Sequence, residues 1–327
     1  MTQPLKNILI TGAGGAAAVA FYKCLDQTGL NIHMADMSPY AAGLYLVNEP
    51  NRLLLPAGET DDYIPQLFKS CLARGIDVLV PTVDWELLPI AAHHDLFAQH
   101  GIQVVLSDYE ALSICLDKYR LMGHLSESFS MPMYEKYNTR FNPCPFDFPM
   151  LAKPRRDSGS RGIRLIHELT DLRQLPNDDS YLIQQYLPGD EFSVDVYLDR
   201  QHQARASVVR QRMRVDSGVS VVGQTIHNEH IASLAADMAE YLKLSFAVNV
   251  QFKMDPTNQP GLLEINPRFP GTMSLTAAAG VNMPQLCIDE VSGSHLAEHY
   301  PYDDLAMLRS WSEQYLPAGS MQAVMLD

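Results

Sequence analysis

With 327 residues, the chain is long enough for two or three domains and for a core that buries roughly three-quarters of the surface its unfolded form exposes. Its 46% hydrophobic and 19% charged residues suit an ordinary globular protein, and its formal net charge of −14 excludes general nucleic-acid binding, which relies on basic surface to displace counterions. No apolar run approaches the ~20 residues that span a bilayer, so no membrane partner is expected.

The opening "MTQPLKNILITGAGG" reads as a strand entering a glycine turn, not as a cleavable signal. Residues 1–106 then alternate: "NILIT" strand, "AAAVAFYKCLDQTG" helix, "NIHMAD" strand, "RLLLP" strand, "DDYIPQLFKSCLARG" helix, "IDVLVPT" strand, "WELLPIAAHHDLFAQHG" helix, "IQVVLS" strand. Such β-α-β alternation predicts a parallel, doubly wound α/β sheet with helices on both faces. Beyond Ser107 the pattern changes. "DYEALSICLDKYRLMGHLSES" is helical, "RFNPCPFDFP" is a proline-rich connection, and "MLAKP" and "GIRLI" are strands flanking "RRDSGSRG". "HELTDLRQL" is helical, "YLIQQYLPG" and "EFSVDVYLD" are strands around a turn, "QARASVVRQRMRV" is strand-like and "EHIASLAADMAEYLKL" is a helix. "FAVNVQFKM" and "LLEIN" form a hairpin across "DPTNQPG", and the tail from Leu308 reads as helix and strand.

The five cysteines, Cys24, Cys71, Cys115, Cys144 and Cys287, are scattered without a C-x-x-C pair. That favours reduced thiols in a cytoplasm over a disulfide frame or zinc site. "HNEH" at 227–230 has no evident third or fourth ligand and reads as a solvated segment.

Two glycine segments carry chemistry. "GAGGAA" (12–17) fits G-x-G-x-x-A after a strand, with Asp36 at the end of the second strand. It is either a dinucleotide turn, with Asp36 on a ribose hydroxyl, or a tight β-α turn without a nucleotide. "AKPRRDSGSRGIRLI" (152–166) places Lys153 at a strand end before a turn rich in glycine and serine. The backbone N–H groups of such a turn fold around polyphosphate, and Lys153, Arg155, Arg156, Arg161 and Arg164 give the segment a positive field. No G-K-[ST] or helix follows, so it is not a Walker loop. The plain alternative is a solvated basic hairpin.

In the closing hairpin, Glu264 and Asn266 share a face and Arg268 follows them; on the neighbouring strand Asn249, Gln251 and Lys253 share a face. Gln251, Glu264 and Asn266 therefore offer hard oxygen ligands of the kind Mg²⁺ takes, together with water and phosphate. Arg268 offers a planar cation for a transferred phosphoryl group. The plain alternative is a structural ion pair between Glu264 and Arg268.

Together, "VPTVDWELLPIA", "LDKYR", "AKPRRDSGSRGI", "QQYLPGDEFSVD", "NVQF" and "LEINPRFPGT" resemble the ATP-grasp superfamily, in particular short single-unit relatives of the carbamoyl-phosphate synthase large subunit. The resemblance spans nearly the whole chain. It implies a Rossmann-like leading domain (1–106), a lid subdomain (107–183) and a C-terminal subdomain (184–327), the last two enclosing ATP. It implies ATP contacts at Lys118 and Lys153, a loop Ser158, Gly159, Ser160 and Gly162 over the phosphates, a hinge at Gln184, Gln185, Tyr186 and Leu187 on adenine, and Glu191 on the ribose. Mg²⁺ or Mn²⁺ is implied at Gln251, Glu264 and Asn266. Lys153, Asn266 and Arg268 are the implied catalytic set. Gln184 and Gln185 depart from the acid that many members carry in the hinge. The resemblance also implies that the stretch with Arg210, Arg212 and Arg214 holds substrate carboxylate or phosphate, without choosing among them, and that the first glycine turn with Asp84, Trp85 and Glu86 lines the substrate side.

The activity so implied is ATP-dependent ligation of a small carboxylate, an amino acid being the leading candidate, to an amine through an acyl phosphate. A homodimer is expected on the general frequency of two-fold assemblies. Two rivals are an NAD-dependent oxidoreductase using "GAGGAA" and Asp36, and a non-catalytic ATP-binding regulator.

Overall fold

A computed structural model describes residues 5–25, 29–143, 146–156, 161–310 and 312–319. The leading sheet is built from β1 (Asn7–Thr11), α1 (Ala16–Leu25), β2 (Asn31–Asp36), β3 (Arg52–Leu54), α2 (Tyr63–Ala73), β4 (Val78–Val80), α3 (Asp84–Ala92), α4 (His94–Gln99) and β5 (Gln103–Val104). Its five strands are all parallel, in the order β3-β2-β1-β4-β5. Side chains alternate across β1: Ile8 and Ile10 enter one core, and Leu9 enters the other with Leu67 of α2 and Phe97 of α4. The strand order reverses between β1 and β4, so their C-terminal loops flank a crevice, which is where open α/β sheets bind ligands.

Two long helices expected from the sequence are each broken in two. Residues 85–101 divide into α3 and α4 at His93, whose φ of −115° and ψ of 18° leave the helical region. Residues 108–128 divide into α5 (Tyr109–Cys115) and α6 (Lys118–Leu125). The cause of the second break is Asp117, which caps α6 by accepting from the N–H groups of Tyr119 and Arg120.

A small antiparallel sheet, in the order β6-β9-β7-β8, comprises β6 (Tyr134–Lys136), β7 (Met150–Pro154), β8 (Arg164–Ile166) and β9 (Tyr181–Gln185), with the single-turn α7 (Leu169–Leu172) before β9. Met150, Ala152, Ile166 and Ile183 form its own core.

A six-stranded antiparallel sheet follows, in the order β14-β13-β10-β11-β12-β15. Its members are β10 (Glu191–Leu198), β11 (Ala204–Asp216), β12 (Val219–Thr225), β13 (Phe246–Met254), β14 (Pro260–Asn266) and β15 (Ala306–Leu308), with α8 (Glu229–Tyr241), α9 (Met273–Ala278) and α10 (Met283–Val291). β9 and β10 are consecutive strands in different sheets, so the turn between them crosses from one sheet to the other. The division expected at residues 183/184 falls inside β9.

Helix α8 is capped by Asn228 and buries Ile231, Ala235, Met238 and Ala239, a 3.6-residue stripe, against one face of the large sheet with α5 and α6. The other face joins the leading domain: Tyr197, Val208 and Phe246 share a core with Ile8, Ile10 and Phe21, and Phe21 meets Phe269 edge-on at 4.8 Å. The described part of the tail departs from expectation, and residues 320–327 lie outside the described residues. Among the described residues after Leu308 there is neither helix nor strand, consistent with Pro317 and Gly319, which disfavour both.

Candidate active site

The site is organised by β14. Its pairing with β13 sets Gln251 opposite Glu264 and Asn249 opposite Asn266, then shifts so that Phe252 faces Leu262. Leu263 is thereby an extra residue, a bulge. The bulge lets Leu262 and Ile265 both enter the core while Glu264 and Asn266 stay toward the site. It also frees the Leu263 carbonyl, which accepts from Lys153 Nζ at 2.6 Å.

Lys153, at the end of β7, is 3% exposed, and Lys118, at the start of α6, is 8% exposed. Lys118 Nζ lies 3.4 Å from Glu264 Oε2. Burial pushes the Lys153 ammonium down to about 7, helped by Lys118 and opposed by Glu264. Burial works against the charge of Glu264, yet the two lysines and the Asn266 amide hold its carboxyl below the usual value. Asn266 Nδ2 donates to Glu264 Oε1 (3.1 Å), and Gln251 Nε2 donates to Asn249 Oδ1 (3.0 Å). Both bonds engage the amide nitrogens of Gln251 and Asn266, not their oxygens. One carboxylate and two amides suit Mg²⁺ that keeps water and phosphate ligands, not a closed cage.

Glu264 and Arg268 do not form the structural pair weighed from the sequence. Arg268 instead grips Asp84 in the first turn of α3, Nε–Oδ1 2.7 Å and Nη2–Oδ2 3.2 Å. Burial disfavours this guanidinium's charge, but Asp84 and Glu264 more than compensate and raise its pKa above the ordinary arginine value.

The three arginines of β11 differ in kind. Arg210 is buried and bidentate to buried Asp195 (2.8 and 2.6 Å), which also accepts from Asn249 and Thr276. Arg212 lies 3.1 Å from Glu191 and donates to the Gly218 carbonyl. Arg214 is exposed. The basic segment after β7 is likewise partly neutralised: Arg155 and Arg156 both pair with Asp117, at 2.7 and 3.2 Å.

At the sheet's reversal point, Glu86 ties the two loops together. It accepts from Thr11 Oγ1 (2.5 Å), Tyr63 OH (2.5 Å) and the N–H groups of Thr82 and Val83 (2.8 and 2.9 Å). Gly12 has φ +69°, and a Cβ there would lie 2.3 Å from Val83 Cγ2, so only glycine fits. Asp36 accepts from the N–H groups of Gly14 (2.7 Å) and Ser38 (2.9 Å). Asp36 thus takes the Gly14 N–H of the turn, and the Ala13 and Gly15 N–H groups donate to the Ala35 and Gly12 carbonyls (3.0 and 2.8 Å), so all three are engaged within the protein rather than aimed at a pyrophosphate.

Three cavities converge on Glu264. The first, of about 180 Å³, is lined by Lys153, Gln185, Tyr186, Leu187, Glu191 and Lys253. The second, of about 190 Å³, is cationic, with Arg210, Arg212, Arg268, Gly15 and Thr272 in its wall. The third, of about 470 Å³, lies between α3 and α5 and reaches Glu264 and Asn266.

Of the residues expected at the hinge, Gln184 is fully buried and lines none of the three; its Nε2 donates to the Leu262 carbonyl (2.8 Å), and its Oε1 has no partner. Gly162 packs over Pro154 and Tyr181 with φ +67°. Ser158, Gly159 and Ser160 lie outside the described residues. Sequence reasoning missed Asp117, Asp195 and the part Asp84 plays toward Arg268. The aspartate preceding Lys118, in helix-capping position, was a readable signal for the first; the other two partners are distant in sequence.

The chain matches the family model "ATP-grasp in the biosynthetic pathway with Ter operon" over residues 177–313 and "PylC-like, N-terminal domain" over residues 8–105. It is 21% identical over 229 residues to the carbamoyl phosphate synthase large chain of Clostridium acetobutylicum, covering 62% of this chain and 21% of that one. The chain thus spans about a fifth of the length of the first curated relatives it matches. It is 24% identical to the 3-methyl-D-ornithine–L-lysine ligase of Methanosarcina barkeri, over 97% of this chain and 85% of that one. In fold it is similar to the biotin carboxylase domain dimer of Hydrogenobacter thermophilus 2-oxoglutarate carboxylase, solved with MgADP, ADP and bicarbonate (TM-score 0.72, 15% identity, 90% of this chain and 71% of that one). Residues 177–313 thus match an ATP-grasp family model, and the two antiparallel sheets behind a parallel leading domain give the chain the ATP-grasp fold.

Proposed function

We propose that the chain is an ATP-dependent carboxylate–amine ligase that forms an amide through an acyl phosphate and releases ADP and phosphate. The observation that carries this reading is the meeting of buried Lys118 and Lys153 with Glu264, Gln251 and Asn266 where three cavities join. Adenine fits the smallest cavity, against Gln185, Tyr186 and Leu187, with Glu191 toward the ribose. Gln184 acts from behind, through the Leu262 carbonyl. Lys153 and Lys118 hold the phosphates, with Gly162 near them.

Gln251, Glu264 and Asn266 would hold Mg²⁺ or Mn²⁺. Such an ion, when bound, neutralises phosphate charge and orients the outer phosphoryl group. Arg268 faces that group and the acyl phosphate, where a fixed guanidinium offsets developing charge. The substrate carboxylate enters the cationic cavity. An oxide is a hopeless leaving group and phosphate a good one, so phosphorylation makes the carboxyl carbon open to attack. Positioning and charge neutralisation supply the catalysis, without a covalent nucleophile from the protein. The ligase from Methanosarcina barkeri, whose name joins two amino acids, supports an amino-acid carboxylate. The dimeric carboxylase domain supports a homodimer. Four free cysteines among the described residues support a cytoplasmic setting. Among those residues no helix is long and apolar enough to cross a membrane.

The test is ADP release with Mg²⁺–ATP across a panel of carboxylic acids, with hydroxylamine as trapping nucleophile. Acid-dependent ADP and a matching hydroxamate are expected. ATP binding without acid-dependent ADP across the panel would favour the regulator instead.

A further inference from the structure

The ligase reading assigns two of the three cavities at Glu264, one to nucleotide and one to the carboxylate. The third is the largest, about 470 Å³, within the range of pockets that enclose small molecules. Its wall is mainly apolar: Trp85 and Leu88 from α3, Tyr109 from α5 with Leu116 at its end, and Ile265 from β14. Trp85 and Tyr109 are 50% and 49% exposed, large aromatic surfaces that the fold itself leaves uncovered. Glu59, Asp84 and Glu264 add carboxylates to the same wall and Lys118, Arg120 and Arg156 add cations, Asp84 being held by Arg268 and Glu264 by Lys118. Glu264 and Asn266 belong both to this cavity and to the cationic one, so a group in each would meet at those two side chains.

We propose, resting on the ligase reading, that the α3–α5 cavity is the amine subsite and that the nucleophile is a primary amine on an apolar body rather than ammonia. The aromatic and aliphatic part of the wall selects the body, and with charges of both signs in the wall the amine enters as the neutral nucleophile. The amine nitrogen donates its lone pair to the acyl carbon, the C–N bond forms, and the carbon–oxygen bond to phosphate breaks with its electron pair leaving on phosphate. Of the three protons of the ammonium in solution, one passes to solvent on entry, one stays on the amide nitrogen and one ends on the phosphate.

The experiment compares ammonia, hydroxylamine, methylamine, isobutylamine and phenethylamine as nucleophiles for the full chain, using the acid that gives the fastest ADP release. Each methylene buried in the wall improves kcat/KM about fourfold, so phenethylamine should exceed methylamine by at least about tenfold. Leu88→Trp, which fills the cavity, should cut the phenethylamine-to-hydroxylamine ratio about tenfold or more; taking the ratio cancels any loss common to both nucleophiles. If Leu88→Trp does not fold, Trp85→Ala, at a half-exposed position, should lower the same ratio. A ratio unchanged in the folded variant, or ammonia used as well as phenethylamine, overturns the proposal.

Should no acid support ADP release, the ligase reading fails and calorimetry decides the cavity alone. Phenethylamine would be titrated into the chain with Mg²⁺ and a nonhydrolysable ATP analogue. Binding that weakens about tenfold in Leu88→Trp upholds an apolar-amine site; no binding to the unmodified chain rejects it.

Discussion

Arg268 and Asp84 form a two-pronged ion pair that joins the end of β14 to the first turn of α3, across 184 positions of sequence. The pair fixes the guanidinium at the mouth of the cationic cavity before any ligand arrives. Arg268→Lys keeps a charge but not the planar two-pronged grip. ADP release by Arg268→Ala should fall about 10²–10³-fold, the cost of removing one fixed charge stabiliser, and Arg268→Lys should recover little of it. Saturating-ATP kinetics check this; an unchanged kcat in Arg268→Ala removes it from the chemistry.

Lys153 should make nucleotide binding take up a proton. Its ammonium titrates at about 7 in the free chain, and polyphosphate beside it favours the charged form. Above pH 7 the free lysine is largely neutral and the bound one protonated, so affinity should weaken as pH rises through that interval. Calorimetry at pH 8 in two buffers of different ionisation enthalpy should give different binding heats, and Lys153→Met should abolish the difference. Equal heats for the unmodified chain would contradict the assignment.

The same lysine affects folding. The unfolded chain keeps this proton up to about 10.4, while the folded chain releases it near 7. Between those values the unfolded state binds more protons, so this group makes stability rise with pH. Urea midpoints measured at pH 7.5 and 9 should show a smaller rise, or a larger fall, in Lys153→Met than in the unmodified chain.

Glu264→Ala and Lys153→Ala should each abolish ATP turnover while far-UV circular dichroism stays native. Glu264 is the carboxylate shared by three cavities and by two ammonium groups. Turnover near the unmodified level in both variants would refute the site.

Asp195→Ala should destabilise the fold by about 3–5 kcal/mol, because it leaves the Arg210 guanidinium buried without its counter-charge. Asp195 is 0% and Arg210 3% exposed. A denaturant midpoint close to that of the unmodified chain would show that Arg210 is free to serve a ligand instead.

Much of this was legible in local pattern. The strand alternation of residues 7–104 and the hairpin that faces Gln251 with Glu264 follow from period-two side-chain geometry, which needs only neighbours in sequence. Helix breaks at His93 and Asp117 were not, because apolar spacing continues across both while backbone geometry at one residue decides. The Leu263 bulge was also hidden: Leu262 and Ile265 are both buried, and only the paired strand reveals the extra residue between them. Partners such as Asp84 for Arg268 and Asp195 for Arg210 depend on how distant elements pack, which no short window of sequence contains. The Gln184 side chain, predicted at the hinge, turns toward a β14 carbonyl for the same reason.

Among the described residues, the cationic and apolar cavities have only Glu264 and Asn266 in common. Substitutions at Leu88 or Tyr109 therefore lie remote from the wall holding Arg210 and Arg212, and the converse holds. On the ligase reading, a lineage carrying this scaffold is able to exchange one reactant at a time, diversifying its products stepwise while the shared junction stays unaltered.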